Sequence, residues 1–319
     1  MTGIHHLEVK NRDANFKFDL YRNITIVRGN SGTGKSTLFE MIADYTRLKE
    51  SSGVNISSDK ACVALIDTDW QNQLKNVTDS IVFIDEGVEY LKTKEFAQAI
   101  SHTDNYYVIF NRESLHELPY SVDEIYEIKT SGKYHSFKKM YKSNNKHIYY
   151  KDAVGNKIKF KLLLTEDSKS GYQFYQHYFK NSEIECILTA SNSAIFRYIK
   201  ENPDKMIFVV ADGAAFGSEI DRVLKLPGQN FRLCLPESFE WLILKSGLIR
   251  TEDIDMVLEN PSEYIESSRY FSWENYFEQY LIENTVNTPF QYAKKEINPV
   301  FLNDVNSEKI IAEIYNTNP

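Results

Sequence analysis

Nine consecutive residues, Gly29-Asn30-Ser31-Gly32-Thr33-Gly34-Lys35-Ser36-Thr37, combine three glycines, a lysine and four hydroxyls at a spacing suited to holding phosphate. The first eight match G-x-x-x-x-G-K-[ST] and stand between a run rich in β-branched residues, Ile24–Arg28, and a segment of helical spacing, Lys35–Tyr45. Glycines carry no Cβ, so backbone N–H groups can turn inward around phosphate oxygens, and the following helix presents its positive end to them. Lys35 is expected to reach the β- and γ-phosphates and act in catalysis, Ser36 to ligate magnesium, and Thr37 to add a phosphate contact. Pattern and context together predict binding of ATP or GTP with Mg2+, not a ligand-free glycine turn. Downstream, Ile81-Val82-Phe83-Ile84-Asp85-Glu86 ends an apolar run in two acids. Asp85 is expected to hold the magnesium through its water shell and Glu86 to polarise the attacking water. Buried strands often end in solvated carboxylates, so this reading leans on the phosphate loop, whose chemistry needs an acidic metal ligand on a neighbouring strand.

A second pair of acids follows the same geometry. Leu162-Leu163-Leu164-Thr165-Glu166 and Phe208-Val209-Val210-Ala211-Asp212 are apolar runs ending in a carboxylate ahead of a glycine. Acids at adjacent strand ends converge at the carboxyl edge of a parallel sheet, where α/β folds place their ligands, and two such carboxylates can share a magnesium or manganese ion. Between these motifs lies a basic segment: from Lys129 to Lys161 ten lysines face a single acid, Asp152. Lys133, Lys138, Lys139, Lys142 and Lys146 are interleaved with Tyr134, Phe137, Tyr141, Tyr149 and Tyr150. Such a surface can neutralise phosphates and stack rings on bases, so nucleic-acid or acidic-partner contact through Lys133–Lys161 is one reading. The other is a solvated linker ribbon whose aromatics pack inward.

The elements that must position these residues are legible from periodicity. His6–Lys10, Phe16–Asp19 and Ile24–Arg28 read as strands, Lys35–Tyr45 as a helix, Ala61–Ile66 and Ser80–Ile84 as strands, and Glu89–Ser101 as a helix. Tyr106–Phe110 and Glu124–Ile128 add strands, giving the alternation that a mostly parallel sheet requires. A hairpin or ribbon is expected around Ile148–Tyr150. A second series runs Phe160–Thr165 strand, Tyr172–Phe179 helix, Glu185–Thr189 strand, Ala194–Glu201 helix and Met206–Ala211 strand, after which helical spacing prevails. With 319 residues the chain exceeds what one core usually supports, and 42% hydrophobic and 26% charged residues suit a folded globular protein. The expected segments are 1–130, 131–158, 159–250 and 251–319. Three scattered cysteines, a polar start and no long apolar stretch point to a reducing cytoplasm and to no membrane span. The net charge of −8 excludes a uniformly basic coat, and from Thr251 onward thirteen acids face four basic residues.

The loop at Gly29–Thr37 and the acids Asp85-Glu86 resemble the ATP-binding-cassette and structural-maintenance type of P-loop ATPase, over roughly the first 130 residues. The departure is that only about 50 residues separate Lys35 from Asp85, with no Ser-Gly-Gly signature between them, so the usual helical subdomain is missing or much shortened. On that resemblance Gln71 or Gln73 takes the part of the family's glutamine loop, and Asn111 or Arg112 senses the γ-phosphate. The second series resembles a TOPRIM domain, the metal-binding fold of topoisomerases, bacterial primases and overcoming-lysogenization-defect nucleases. Glu166 matches that family's glutamate, a general acid or base, and Asp212 the first acid of its Asp-x-Asp, whereas Ala214 replaces the second. Glu237 and Glu240, or Glu219, are the replacement metal ligands expected.

The fold implied is α/β, a P-loop NTPase sheet domain followed by a basic ribbon and a TOPRIM-like domain with a helical C-terminal part. The implied function is ATP hydrolysis regulating a metal-dependent nuclease, resembling compact phage-defence relatives of the overcoming-lysogenization-defect proteins. The alternative is a nucleotide-gated switch with a degenerate second domain. A small-molecule kinase fits less well, because Asp85-Glu86 suits water activation and no arginine-bearing lid sequence is present. Such ATPases work in pairs, so a homo-oligomer or partner protein is expected.

Overall fold

In the computed structural model, which describes residues 1–66, 69–141, 148–149, 160–167, 169–189, 191–227 and 231–315, period-two alternation sets the first hairpin. His5–Lys10 (β1) buries His5, Leu7 and Val9, and Asn15–Leu20 (β2) buries Phe16, Phe18 and Leu20. The strands continue as β3 (Ile24–Arg28), β4 (Asn55–Ser57), β5 (Ala61–Ala64), β6 (Ser80–Ile84), β7 (Tyr106–Phe110), β8 (Ile125–Ser131) and β9 (Tyr134–Lys139). β3, β6 and β7 are buried at every position, as strands covered on both faces must be. The nine form one sheet in the order β4-β1-β2-β9-β8-β3-β7-β6-β5. From β8 to β5 neighbouring strands are parallel, while β1 pairs antiparallel with β2 and β4, and β9 antiparallel with β8.

Helix α1 (Lys35–Leu48) follows β3 and sends Leu38, Met41 and Ile42 into a core shared with Phe16, Phe18, Val27, Phe83 and Phe110. Helices α2 (Trp70–Lys75) and α3 (Lys94–Ile100) complete the crossovers. The single helix expected over Glu89–Ser101 is broken: Glu89–Lys92 is a 3-10 turn, and Thr93 takes extended geometry to cap α3, accepting from the Phe96 N–H.

The second sheet contains β10 (Ile148–Tyr149), β11 (Leu162–Thr165), β12 (Glu185–Leu188), β13 (Ile207–Val210) and β14 (Phe231–Cys234), in the order β10-β14-β13-β11-β12. All pairings are parallel except β10 with β14. Helices α4 (Ser170–Tyr178), α5 (Asn192–Glu201), α6 (Ile220–Leu224), α7 (Phe239–Lys245), α8 (Ile254–Glu259), α9 (Trp273–Thr285) and α10 (Asp304–Tyr315) accompany it, with α9 and α10 packed on α7.

The chain divides into two compact units, Met1–Tyr141 with Asn260–Phe271 and Lys142–Glu259 with Ser272–Pro319. These units divide the chain differently from the four segments expected at 1–130, 131–158, 159–250 and 251–319. The first boundary moves to 141 because β9 pairs with β8 from Tyr126↔Lys139 to Ser131↔Tyr134, and in parallel with β2. The start of the basic ribbon is therefore a sheet strand. Lys142, Lys146, Tyr150, Asp152 and Gly155 lie outside the described residues. The C-terminal stretch is divided too: Gly3 N–H bonds to Ser262 carbonyl and Ser267 N–H to Met1 carbonyl, tying 260–271 to the first unit. Among the described residues no helix is long and apolar enough to cross a membrane.

Candidate functional site

The buried strand β3 delivers the chain into Gly29–Thr37 at the carboxyl edge of the first sheet. Gly29, Gly32 and Gly34 have φ of 141°, 80° and 97°, in the left-handed region that side chains disfavour. Thr33 Oγ donates to Asn30 carbonyl at 3.0 Å and closes the loop. Gly34 precedes α1 without a side-chain cap, and the first turn holds no acid, so its N–H groups are left to an anion. Lys35, only 4% exposed, folds back and donates from Nζ to the carbonyls of Gly29 at 2.5 Å and Asn30 at 3.1 Å. Burial pushes its pKa down, against the pull of Glu86 3.8 Å away.

β6 carries Asp85 and Glu86 to the same edge, with β7 lying between β6 and β3. Asp85 accepts the Glu86 N–H at 2.8 Å, and burial raises its pKa. Glu86 is gripped bidentately by Arg112, Nη2 at 2.6 Å and Nε at 3.0 Å, and Arg112 Nη2 also donates to Ser31 Oγ at 3.1 Å. That guanidinium, with help from Lys35, lowers the pKa of Glu86. A cleft of about 270 Å³ results, walled by residues 30–37 with Glu86, Arg112, Thr130 and His135. Asp85 lies outside that wall. Ser36 and Thr37 are exposed to solvent at the start of α1. Ser36 hydroxyl and Asp85 carboxylate oxygens are hard donors of the kind magnesium takes.

Arg112 is thus brought to the loop, whereas Asn111 spends its side chain on its own turn, donating to Glu113 carbonyl at 3.1 Å and accepting the Arg112 N–H at 3.0 Å. Gln73 is tied to Ala64 carbonyl at 2.9 Å and Gln71 to Glu95, so neither is among the residues walling the cleft. Two wall residues were missed in sequence. His135 stacks on Phe16 with centroids 4.2 Å apart and shares a hydrogen bond of 2.9 Å with Thr130 Oγ, and burial lowers its pKa. Alternation along Tyr134–Lys139 was the signal, because it places His135 and Phe137 on one face. The opposite face exposes Tyr134, Ser136 and Lys138. Its positive charge is partly offset: Lys129 pairs with Glu127 at 3.0 Å, Lys17 with Glu8 at 3.2 Å, and Lys138 stands opposite Glu127.

In the second unit β11 and β13 are parallel neighbours with Thr165 opposite Val210, so Glu166 and Asp212 leave the same edge of the sheet. Burial pushes the Glu166 carboxyl up to about 7, and hydrogen bonds from Asn192 and the Asp212 backbone oppose this. Asp212 is raised well above the carboxylate range by burial, then by Glu274 and Glu166, with Lys294 pulling the other way. Asp167 accepts N–H bonds from Lys169 and Gly171 at the approach to α4. Gly213 donates to Pro236 carbonyl at 2.6 Å, and a Cβ there would lie 2.5 Å from Leu235 carbonyl, so glycine alone permits this approach. The same contact draws the β14–α7 turn, with buried Glu237, toward Asp212.

The replacement ligands expected here are otherwise engaged. Glu219 accepts from Ser193 at 3.1 Å and pairs with Arg222. Glu240, fully buried, takes Lys294 Nζ at 2.8 Å and the Tyr292 hydroxyl at 2.6 Å on Oε1, while Oε2 has no hydrogen-bond partner. Lys294 also meets Glu274 at 3.4 Å and Glu278 at 3.9 Å. Among the described residues no group of three or more His, Cys, Asp or Glu is placed to hold a metal ion. Lys294, Tyr292 and Glu274 carried no signal in the sequence, since they lie in the tail read only as helical. No family model, curated protein or solved structure matches the chain.

Proposed function

We propose that the first unit is a P-loop ATPase and that the whole protein is a nucleotide-gated switch, acting in the cytoplasm, whose second, TOPRIM-like unit docks a partner. The observation that carries the ATPase reading is the convergence of Lys35, Glu86 and Arg112 on one glycine loop ahead of an uncapped helix. ATP would lay its phosphates along residues 29–37, with Lys35 released from the Gly29 and Asn30 carbonyls to the terminal phosphates. Ser36 and Asp85 would hold Mg2+, which neutralises phosphate charge when bound. Glu86, kept ionised by Arg112, orients and deprotonates the attacking water.

Lys35→Ala is expected to lower kcat by about 100-fold or more and to weaken ATP binding, because a buried charge-assisted donor is lost. Glu86→Gln keeps the shape and removes the base, so ATP should stay bound while turnover falls by a similar factor. Equilibrium binding of a fluorescent ATP analogue beside phosphate release separates the two; equal affinity and turnover in all three proteins would remove the assignment.

The switch reading of the second unit is supported by Ala214 and by the engagement of Glu240 with Lys294 and of Glu219 with Arg222. The rival, a metal-dependent nuclease in anti-phage defence cutting DNA or RNA with Mg2+ or Mn2+, is favoured by one feature: Glu166 and Asp212 share an edge. Cleavage that needs metal and is lost in both Glu166→Ala and Asp212→Ala, with ATP hydrolysis intact, would replace the switch with the nuclease.

A further inference from the structure

The second unit gathers carboxylates from four places in the chain. Glu166 and Asp212 come from the carboxyl edge of the sheet, Glu240 from the first turn of α7, and Glu274 and Glu278 from α9, which packs on α7. Like charges in a low-dielectric interior repel strongly, and Glu240 is wholly buried. Beside Glu240, Glu274 and Glu278 sits an ammonium. Lys294 Nζ lies 2.8 Å, 3.4 Å and 3.9 Å from Glu240, Glu274 and Glu278, its side chain 11% exposed. It also acts on Asp212 through space.

We propose that Lys294 is the resident cation of this cluster and does the charge-balancing work that a divalent metal does in TOPRIM domains. A metal does not fit beside it. Glu240 Oε1 already accepts from both Lys294 and Tyr292, whose hydroxyl is 2.5 Å from Ser170 Oγ, and Glu219 is committed to Arg222, so Glu240 offers a metal only its Oε2, a single oxygen where a divalent ion takes about six. Three N–H donors on a tethered stem satisfy several carboxylate oxygens at once, which a point cation without ligand geometry of its own can do. The second unit therefore folds without metal, and its acids are not a vacant two-carboxylate metal site.

The consequence is that taking Lys294 away should create a metal site. The test uses the full chain without nucleotide, carrying Asp85→Asn so that Mn2+ held by the first unit does not contribute. Thermal melting and Mn2+ electron paramagnetic resonance are measured in EDTA and in excess Mn2+. With Lys294 present, melting should be the same in both and no Mn2+ should be immobilised. Lys294→Met should melt about 5–15 °C lower in EDTA, recover at least half of that loss with Mn2+, and immobilise about one ion per chain. If Lys294→Met does not fold, Lys294→Met with Glu240→Gln carries the test, and its folding in EDTA is the supporting result. Immobilised Mn2+ with Lys294 in place, abolished by Glu166→Ala, overturns the proposal. So does a Lys294→Met protein that melts unchanged or ignores Mn2+, or a double variant that stays unfolded. Because ATP is absent throughout, none of these outcomes depends on how the first unit treats nucleotide.

Discussion

If the first unit is the ATPase proposed above, Arg112 and Glu86 form the pair on which its chemistry turns. A bidentate guanidinium keeps the carboxylate ionised and aimed, and its further bond to Ser31 ties both to the glycine loop. The sign of its effect on pH follows directly. Arg112 lowers the pKa of Glu86, and a base must be ionised to accept a proton, so ATP turnover should fall on the acidic side only below that depressed value. Arg112→Ala removes the largest cause of the depression, and the acidic limb of the kcat profile should move to higher pH. Profiles of both proteins, recorded with saturating ATP, check this; a limb that stays in place would mean that Glu86 is not the base. At this scale the sequence was informative where one motif holds all the parts. Lys35, Ser36 and Thr37 were legible because the loop is contiguous. Arg112 was one of two candidates that only side-chain direction could separate, since Asn111 turns to its own backbone. His135 lay hidden among lysines, because its role depends on stacking with a phenylalanine brought alongside by a parallel pairing of β2 and β9.

Element boundaries show the same division between local and distant causes. Largely apolar runs such as Ser80–Ile84 and Tyr106–Phe110 become buried parallel strands, because no other element accepts five consecutive covered residues at that length. Short elements escaped: β4 is three residues at a sheet edge and α2 six residues, too brief for periodicity to register. Thr93 broke an apparently continuous helix because its hydroxyl competes for the Phe96 N–H. Gly213 exposes an element-level requirement that no pattern announced. The carboxyl end of β13 and the turn after β14 approach so closely that a methyl group at 213 would fall 2.5 Å from a backbone carbonyl. That neighbour cannot swing aside. Gly213→Ala should therefore destabilise the second unit by about 2 kcal/mol or more, the range for overpacking against backbone. Urea denaturation reads the change, and Gly87→Ala serves as the control, since its positive φ is strained but nothing lies within 4 Å of the added carbon. Comparable losses in the two variants would show that close approach at 213 is not the constraint.

For the molecule as a whole, alternation of strands and helices was enough to foresee two α/β sheets, but not how the chain is shared between them. The return of Asn260–Phe271 to the first unit rests on distant pairings such as Gly3 with Ser262, and the packing of α9 and α10 on α7 joins helices that are not neighbours in the chain. A consequence at this scale is the response of stability to pH. In the unfolded chain Glu166 ionises near its ordinary 4.5, whereas in the folded unit burial holds the proton until about 7. Between those values the folded state binds the extra proton, so stability falls as pH rises through the window and levels off above it. Asp212, raised in the same direction, adds to the fall. The effect belongs to the second unit alone, and the distribution of tryptophans allows it to be read there. Of the three, Trp70 packs on Tyr90 and Phe96 in the first unit, and Trp241 and Trp273 are buried in the second. In a Trp70→Phe background, tryptophan fluorescence during urea unfolding follows only the second unit. Its unfolding free energy should drop by on the order of 1–3 kcal/mol from about pH 5 to about pH 7.5, with partial solvent access allowed for. Glu166→Gln cannot ionise, so its share of the slope should vanish and the remaining fall should be the one due to Asp212. A profile that rises over this range, or one that Glu166→Gln leaves unchanged, would mean that Glu166 is ionised in the folded protein and that the carboxylate cluster is better neutralised than its burial implies.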